Sequence, residues 1–360
     1  MNVLHVATMR GGSSGIYSQM KWEKRAAKKL GLTWDVKIFV PNDSIYHNDD
    51  EIIEKSKKNS DDYSNIGFRK EYYEWLLSQK ENYDCFILRY NNFDLQQFMF
   101  IKKVNKPVYL VHHTLELPEL RSGKTIKSKI QFIIESIIGK YSIRNAKGII
   151  TVTNEIFKYE NDRVNNTLKN KFIYPNGILY ESNVEVFDER KDIPEIVFVA
   201  SYFYDWHGLD LLLQDLKNSQ DIFKLHIIGD ISENDRALIN CDNRVVLHGH
   251  LNEEQIQEVL KSAWVGLASF ALYRKQMYEA CTLKVREYLK NGLPVYSGHQ
   301  DVFDEDFVNY KIGEPKFKNI LDYCYEMRVL PKNMVSSQSK IYISKEELLD
   351  NLYMYLNEEF

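Results

Sequence analysis

The residues best suited to chemistry stand in the stretch 278–298, YEACTLKVREYLKNGLPVYSG. Seven residues separate Glu279 from Glu287, and Thr282 and Leu283 fall where a helix carrying Glu287 begins. That arrangement offers three functions at once. A carboxylate ahead of the helix, Glu279, accepts hydrogen bonds from hydroxyl groups. The first amides of the helix, around Thr282, Leu283 and Lys284, have no partners within it and favour an anion such as a phosphate. Glu287, one turn further on, can chelate a vicinal diol. Lys284 and Arg286 add positive charge where a diphosphate would lie. Asn291-Gly292, followed by Pro294, reads as the end of the helix. Spacing alone describes an amphipathic helix with solvated charges equally well.

Other segments carry weaker signals. The first apolar run leads into MRGGSSG, where Gly11, Gly12 and Gly15 let the backbone turn and approach a ligand. Arg10 occupies the place of the first glycine of a dinucleotide fingerprint, and the Lys-Ser/Thr ending of a Walker loop is missing. His112 and His113 follow the apolar run PVYLV, and Glu116 stands in HHTLELPEL just after them. His207, followed by Gly208, lies in DWHG at a helix start, where its ring can donate to a phosphate oxygen.

These groups need a frame. The first half alternates strand-like runs (VLHVAT, WDVKIFV, YDCFILRY, PVYLVHH, GIITVT) with helix-length amphipathic stretches, including one long basic helix over 125–144. Residues 42–65 read as a loop with one weak helix. After the YPNGI turn and a polar stretch over 180–194, the pattern restarts with EIVFVAS, a helix from Leu209, FKLHIIGD, RVVLHG, NEEQIQEVLKSA and WVGLASF. Strands separated by helices imply βαβ units and parallel sheets, so the chain reads as two α/β domains. The expected boundaries are 1–178 and 179–344, with an amphipathic C-terminal helix over 345–360. Open parallel sheets bind ligands in the crevice at their carboxyl ends, so a central cleft between two Rossmann-like sheets is the expected site.

Composition bounds the partners. The 360 residues are 44% hydrophobic and 27% charged, which fits a folded globular chain, and the net charge of -4 excludes a strongly basic nucleic-acid binder. The four cysteines form no Cys-x-x-Cys pair, so neither a structural zinc nor a disulfide framework is expected. The N-terminus lacks the pattern of a signal peptide, and the apolar run IQFIIESIIG is broken by Glu135, so a cytoplasmic protein is expected. The basic stretch 121–144, with Lys124, Lys127, Lys129, Lys140 and Arg144, leaves peripheral contact with the inner membrane face open.

Taken in order, several segments resemble glycosyltransferase family 4, the retaining nucleotide-sugar transferases of GT-B architecture. EACTLKVREYLKNGLPV resembles the family's Glu-x7-Glu region, and MRGGSSG its N-terminal glycine-rich loop. NAKGIITVTNEI, YPNGI, ASYFYDWHGLDLLL, LHIIGD and VVLHGHL follow in the family's order. The WHG and ACTLKVREYL variants most resemble bacterial members that build capsule or exopolysaccharide. The resemblance implies a nucleoside-diphosphate-sugar donor, with UDP the preferred base. It also implies a glycan or lipid-linked glycan acceptor, retention at the anomeric carbon, no metal requirement, and a C-terminal helix crossing back to the first domain. It assigns Glu279 and one of His112 and His113, with His112 preferred, to the reacting sugar. Gly11, Gly12, His207, Gly208, Arg274, Thr282, Leu283, Lys284 and Glu287 fall to the donor. In the family the long basic helix is mostly internal.

Three departures matter. Ala200-Ser201 stands where the family carries a basic residue, His207 replaces its phosphate-binding lysine, and Ala280-Cys281-Thr282 replaces Gly-Phe-Gly. Lys284, Arg274 or Arg286 is then expected to supply the missing charge. A sugar-nucleotide epimerase and a non-catalytic nucleotide-sugar or glycan-binding protein remain as alternatives.

Overall fold

The computed structural model describes residues 1–360 except 13, 47, 124, 168, 169, 181–185 and 360. Lys124 and part of the polar stretch 180–194 therefore lie outside the described residues. The chain divides into two units, Met1–Pro175 with Leu348–Phe360, and Asn176–Glu347.

The first unit is built on a seven-stranded parallel sheet: β1 Val3–Thr8, β2 Trp34–Val40, β3 Ile53–Lys55, β4 Cys85–Arg89, β5 Val108–His112, β6 Gly148–Thr151 and β7 Asn170–Ile173, in the order β3-β2-β1-β4-β5-β6-β7. Successive side chains of β1 leave the sheet on opposite faces, as the twofold period of a strand requires. Val3 and Ala7 join a core with Val36, Ile38 and Ile87 that is closed by Leu348, Leu349, Leu352 and Leu356 of the C-terminal helix Lys345–Glu358. Leu4 and Val6 face the other core, with Phe86, Leu88 and Leu110 under Phe68, Tyr72 and Leu76 of the helix Asn65–Ser78. Both faces are covered, which is why these strands read as nearly continuous apolar runs.

Two sequence expectations change here. Residues 42–65 hold a short strand, β3, paired in parallel with β2, and a 3-10 turn at Ser60–Asp62 in place of a weak helix. A three-residue edge strand is too short for alternation to mark it. The long helix expected over 125–144 is a helix Ile126–Ile134, a π turn Glu135–Gly139 and a helix Lys140–Asn145. The wide turn carries the Glu135 carboxylate into the interior, where the Phe93 amide (2.5 Å), the Tyr90 hydroxyl (2.7 Å) and Arg163 Nη2 (2.6 Å) donate to it. Gly139 makes this possible, because a Cβ there would collide with Arg163, Glu135 and Tyr90. The helix Ile126–Ile134 has no buried residue, so it is not the internal helix that the resemblance implies.

The second unit repeats the plan with six parallel strands: β8 Glu195–Tyr202, β9 Lys224–Asp230, β10 Val245–Gly249, β11 Val265–Leu267, β12 Val295–Ser297 and β13 Tyr310–Ile312, ordered β10-β9-β8-β11-β12-β13. Its core joins Ile196 and Phe198 of β8, Leu225 and Ile227 of β9 and Val265 of β11 to Leu209, Leu212, Leu213 and Leu216 of the helix Leu209–Leu216. Residues 299–344 carry no motif, yet they supply β13 and the helices Phe317–Met327 and Lys332–Ile343. In each sheet the strand order reverses beside the first strand, between β1 and β4 and between β8 and β11. That switch point is where chain ends splay apart and leave room for a ligand.

Candidate active site

In the second unit the sequence-selected residues gather around its switch point. His207 and Gly208 follow β8, Arg274 and Glu279 follow β11, and the helix Leu283–Lys290 leads from there into β12. Two contacts set the position of that helix. Tyr288 packs over Gly266 of β11, where any Cβ would strike its ring, and its hydroxyl oxygen accepts from the Val199 amide at 2.8 Å. Asn176, from the YPNGI turn, fixes the approach to the helix. Its side-chain amide donates to the Cys281 carbonyl at 2.6 Å, and its backbone amide contacts Cys281 Sγ at 3.0 Å. The sequence marks Asn176 only as a turn residue. Its role as an anchor depends on a partner 105 positions away in the chain.

The geometry separates the three candidate cations. Arg286 is fully buried, its guanidinium bound by both Asp301 oxygens (2.5 and 2.6 Å) and by the Asn176 carbonyl (3.0 Å). Its charge is spent inside the unit, and the expectation that it meets a phosphate is corrected on that ground. Arg274 is exposed and held bidentately by Asp210 (2.9 and 2.8 Å), with a third bond to the Asp205 carbonyl (2.7 Å). Its donor-binding assignment would require it to share that carboxylate's grip. Lys284 differs from both. Its ammonium is buried, has no hydrogen-bond partner among the described residues, and lies 5.3 Å from the centre of the Phe198 ring. Burial alone pushes its pKa down to about 7.

His207 shares the Phe198 ring with Lys284, edge-on at 6.5 Å between centroids. Its Nδ1 accepts from the Tyr204 amide at 3.0 Å, which leaves the proton on Nε2 as a donor. Burial, and then the charge of Lys284, lower its pKa to about 3, so the ring is neutral at pH 7. Gly208 follows with φ +70, and a Cβ there would lie 2.9 Å from Phe270 Cβ, so only glycine fits. Thr282 caps the helix Leu283–Lys290 in an extended conformation but makes no side-chain cap bond, and its hydroxyl is buried without a partner among the described residues. One helix start therefore holds two buried polar groups, the Thr282 hydroxyl and the Lys284 ammonium, that the chain itself does not satisfy. A buried polar group left without a partner calls for one, and a ligand, an ion or a water can supply it.

Glu279 is half-buried, in a parallel bridge to Gln300 that fixes the loop before the helix. Leu283 is half-buried at the first helical position. Glu287 lies three residues beyond Lys284 on the same helix face. Burial raises its pKa, with Lys290 opposing the shift and Glu253 adding to it. Glu253 and Lys290, with Phe187, Gln257, Leu260, Lys261 and Asn291, line a cavity of about 270 Å³ beside it.

In the first unit Gly11 and Gly12 are exposed after β1, and a Cβ at Gly11 would meet open space. The two histidines stand in different surroundings. His112 is fully buried, stacked on Tyr90 at 4.2 Å and bonded through Nδ1 to Glu116 at 3.1 Å, whereas His113 at the strand's end keeps accessible surface. Burial lowers the His112 pKa to about 4 and raises those of Glu116 and Glu160 to about 8 and 7. Arg163 donates to Glu160 at 3.1 Å and brings positive charge to this cluster. Among the described residues, His112, Glu116 and Glu160 also form a group whose ligand-type atoms lie within 4.8 Å of one another, the spacing a metal ion would need.

Residues 193–305 match the family model of the group 1 glycosyl transferases. That span covers β8 to β12 and every second-unit residue of the candidate site. Solved structures agree over the whole chain. The lipopolysaccharide outer core galactosyltransferase WaaB, in its apo form, is 13% identical with a TM-score of 0.68, covering 100% of both chains. Sucrose-phosphate synthase from Thermosynechococcus elongatus is 14% identical with a TM-score of 0.68, covering 100% of this chain and 99% of its own. Anabaena HepE in complex with UDP and glucose is 12% identical with a TM-score of 0.63, covering 99% of each chain. No curated protein sequence matches the chain. Two parallel-sheet α/β units in this order are the GT-B architecture. Within residues 193–305, Lys284 is the one of the three cations considered that has no carboxylate partner among the described residues.

Proposed function

We propose that the chain is a retaining, nucleotide-sugar-dependent glycosyltransferase that moves a hexose from a UDP-sugar to a glycan or lipid-linked glycan in surface-polysaccharide synthesis. One observation carries the reading. A buried ammonium without a partner among the described residues and a neutral imidazole lie around one ring, Phe198, beside the switch point, with the start of the helix Leu283–Lys290 carrying the ammonium. Each of these prefers an anion, and together they suit a diphosphate better than any neutral ligand. Glu287, three residues along the same face, is proposed to take the ribose diol, and Glu279 to hold the hydroxyls of the transferred sugar. The group 1 match and the UDP and glucose bound to HepE support a nucleotide-sugar donor.

The hard part of the reaction is the negative charge that grows on the departing diphosphate as the bond to the sugar stretches toward an oxocarbenium-like state. Preorganised donors stabilise that charge without reorganising. Lys284 contributes most when the diphosphate is bound, because the new negative charge draws its proton back. The departing phosphate oxygen can accept the proton of the incoming hydroxyl on the same face, which gives retention, so Glu279 need not be a nucleophile. Lys284 and His207 are proposed to do the work of a divalent metal. On the acceptor side, His113 is the histidine with accessible surface among the described residues of the first unit.

The test is a reaction with UDP-sugars with and without a glycan acceptor, followed by mass spectrometry of the sugar and nucleotide products. Acceptor-dependent UDP release that survives a chelator is expected. An isomerised sugar nucleotide formed without acceptor would select the epimerase alternative, and binding without turnover would select a binding protein.

A further inference from the structure

The segment from Ile126 to Asn145 carries a surface that the donor site does not use. Ile126, Ile130, Ile133, Ile137 and Tyr141 are 78, 53, 58, 54 and 53% exposed. They recur every three or four residues, so they form one row along the helical face, about 22 Å long at 1.5 Å per residue. The opposite side is fixed to the first unit through buried Glu135, Gly139, Ser142 and Ile143, which holds the row outward. A continuous row of large apolar side chains facing water marks a surface that is covered in use.

Charge identifies what covers it. Residues 125–147 contain five cations, Lys127, Lys129, Lys140, Arg144 and Lys147, and one acid, in a chain whose net charge is -4. That acid, Glu135, is turned inward onto Arg163 at 2.6 Å. The outer surface is thus apolar along its middle and cationic at its margins. No helix among the described residues is long and apolar enough to cross a membrane, so insertion as a span does not apply. We propose that this face docks on an anionic lipid bilayer, the apolar row entering the headgroup layer and the lysines meeting lipid phosphates. This inference does not depend on the donor assignment.

The full chain is tested by co-sedimentation with vesicles of phosphatidylcholine alone and with vesicles containing about one-third phosphatidylglycerol. Wild type is expected to pellet with the anionic vesicles, and salt is expected to weaken that binding. Ile130→Ser with Ile133→Ser should lower the partition by at least about tenfold, and Lys127→Glu with Lys129→Glu should remove the preference for phosphatidylglycerol. All four side chains are exposed, so an unchanged circular dichroism melt is expected of both variants. Wild type remaining in the supernatant with both vesicles, or either variant binding as wild type does, would overturn the proposal. So would a wild-type dimer in sizing that the isoleucine variant abolishes without any vesicle binding, because the row would then be an interface between copies.

Discussion

Replacing Lys284 by methionine should make the protein more stable and weaken its binding of the donor. The lysine pKa falls from 10.5 when free to about 7 in the fold, through burial. Each tenfold step is about 1.36 kcal/mol, so holding the charge in place would cost about 4–5 kcal/mol in a fully shielded site. The residue itself is only half-buried, and nearby solvent screens part of this. We take about half, ~2 kcal/mol, as the gain for a methionine of similar length that fills the same space. For a unit of this size that raises Tm by about 4–8 °C. The folded state binds fewer protons at this site than the unfolded chain between about pH 7 and 10.5, so wild-type stability climbs as pH rises through that window. The advantage of the variant should therefore be largest near pH 7 and shrink toward pH 10. Differential scanning fluorimetry of both proteins across that range, with and without UDP, reads both effects. Saturating UDP near 100 times its Kd adds about 2.7 kcal/mol to wild type. The variant should lose a charged contact of about 1.5–3 kcal/mol and show little shift at the same concentration. A variant that melts no higher than wild type, or that keeps the full UDP shift, would refute the idea of a stored, unpaired cation awaiting a phosphate.

Other residues give separate expectations. Glu287→Ala should abolish the UDP-induced melting shift while the ligand-free melt barely moves, since this carboxylate is already disfavoured by burial; the same fluorimetry decides it. Arg286→Met should destabilise by about 3–5 kcal/mol in urea unfolding by stranding buried Asp301, and replacing Asp301 by a similar apolar residue as well should restore much of the loss. Glu116 has its pKa raised from 4.5 to about 8, so its folded form takes up a proton and wild-type stability falls as pH rises through that interval. Glu116→Gln mimics the protonated acid and should unfold at higher urea than wild type at pH 8, with the difference vanishing below pH 4.5.

The architecture was legible because both sheets are parallel and covered on both faces, so strands such as VLHVAT and EIVFVAS stand out as nearly continuous apolar runs. Elements without that signature escaped, among them the three-residue β3 and the π turn at Glu135, which exists to satisfy a buried carboxylate. Within the site, Glu279, Thr282, Lys284 and Glu287 could be chosen by spacing at a helix start. Choosing among Lys284, Arg274 and Arg286 could not be done that way. Their roles depend on Asp210 and Asp301, residues distant in sequence that neutralise the two arginines and leave the lysine alone. The burial of His112 beside the more accessible His113 was equally hidden, because nothing local says how the chain leaves the end of β5.

The central claim is that a diphosphate completes the bonding of Lys284, His207 and Thr282. A crystal structure of the protein with UDP tests it most directly. A phosphate oxygen within about 3.2 Å of both Lys284 Nζ and His207 Nε2, with the ribose on Glu287, is the predicted result. UDP bound elsewhere, with the Lys284 ammonium still unpartnered, would contradict it.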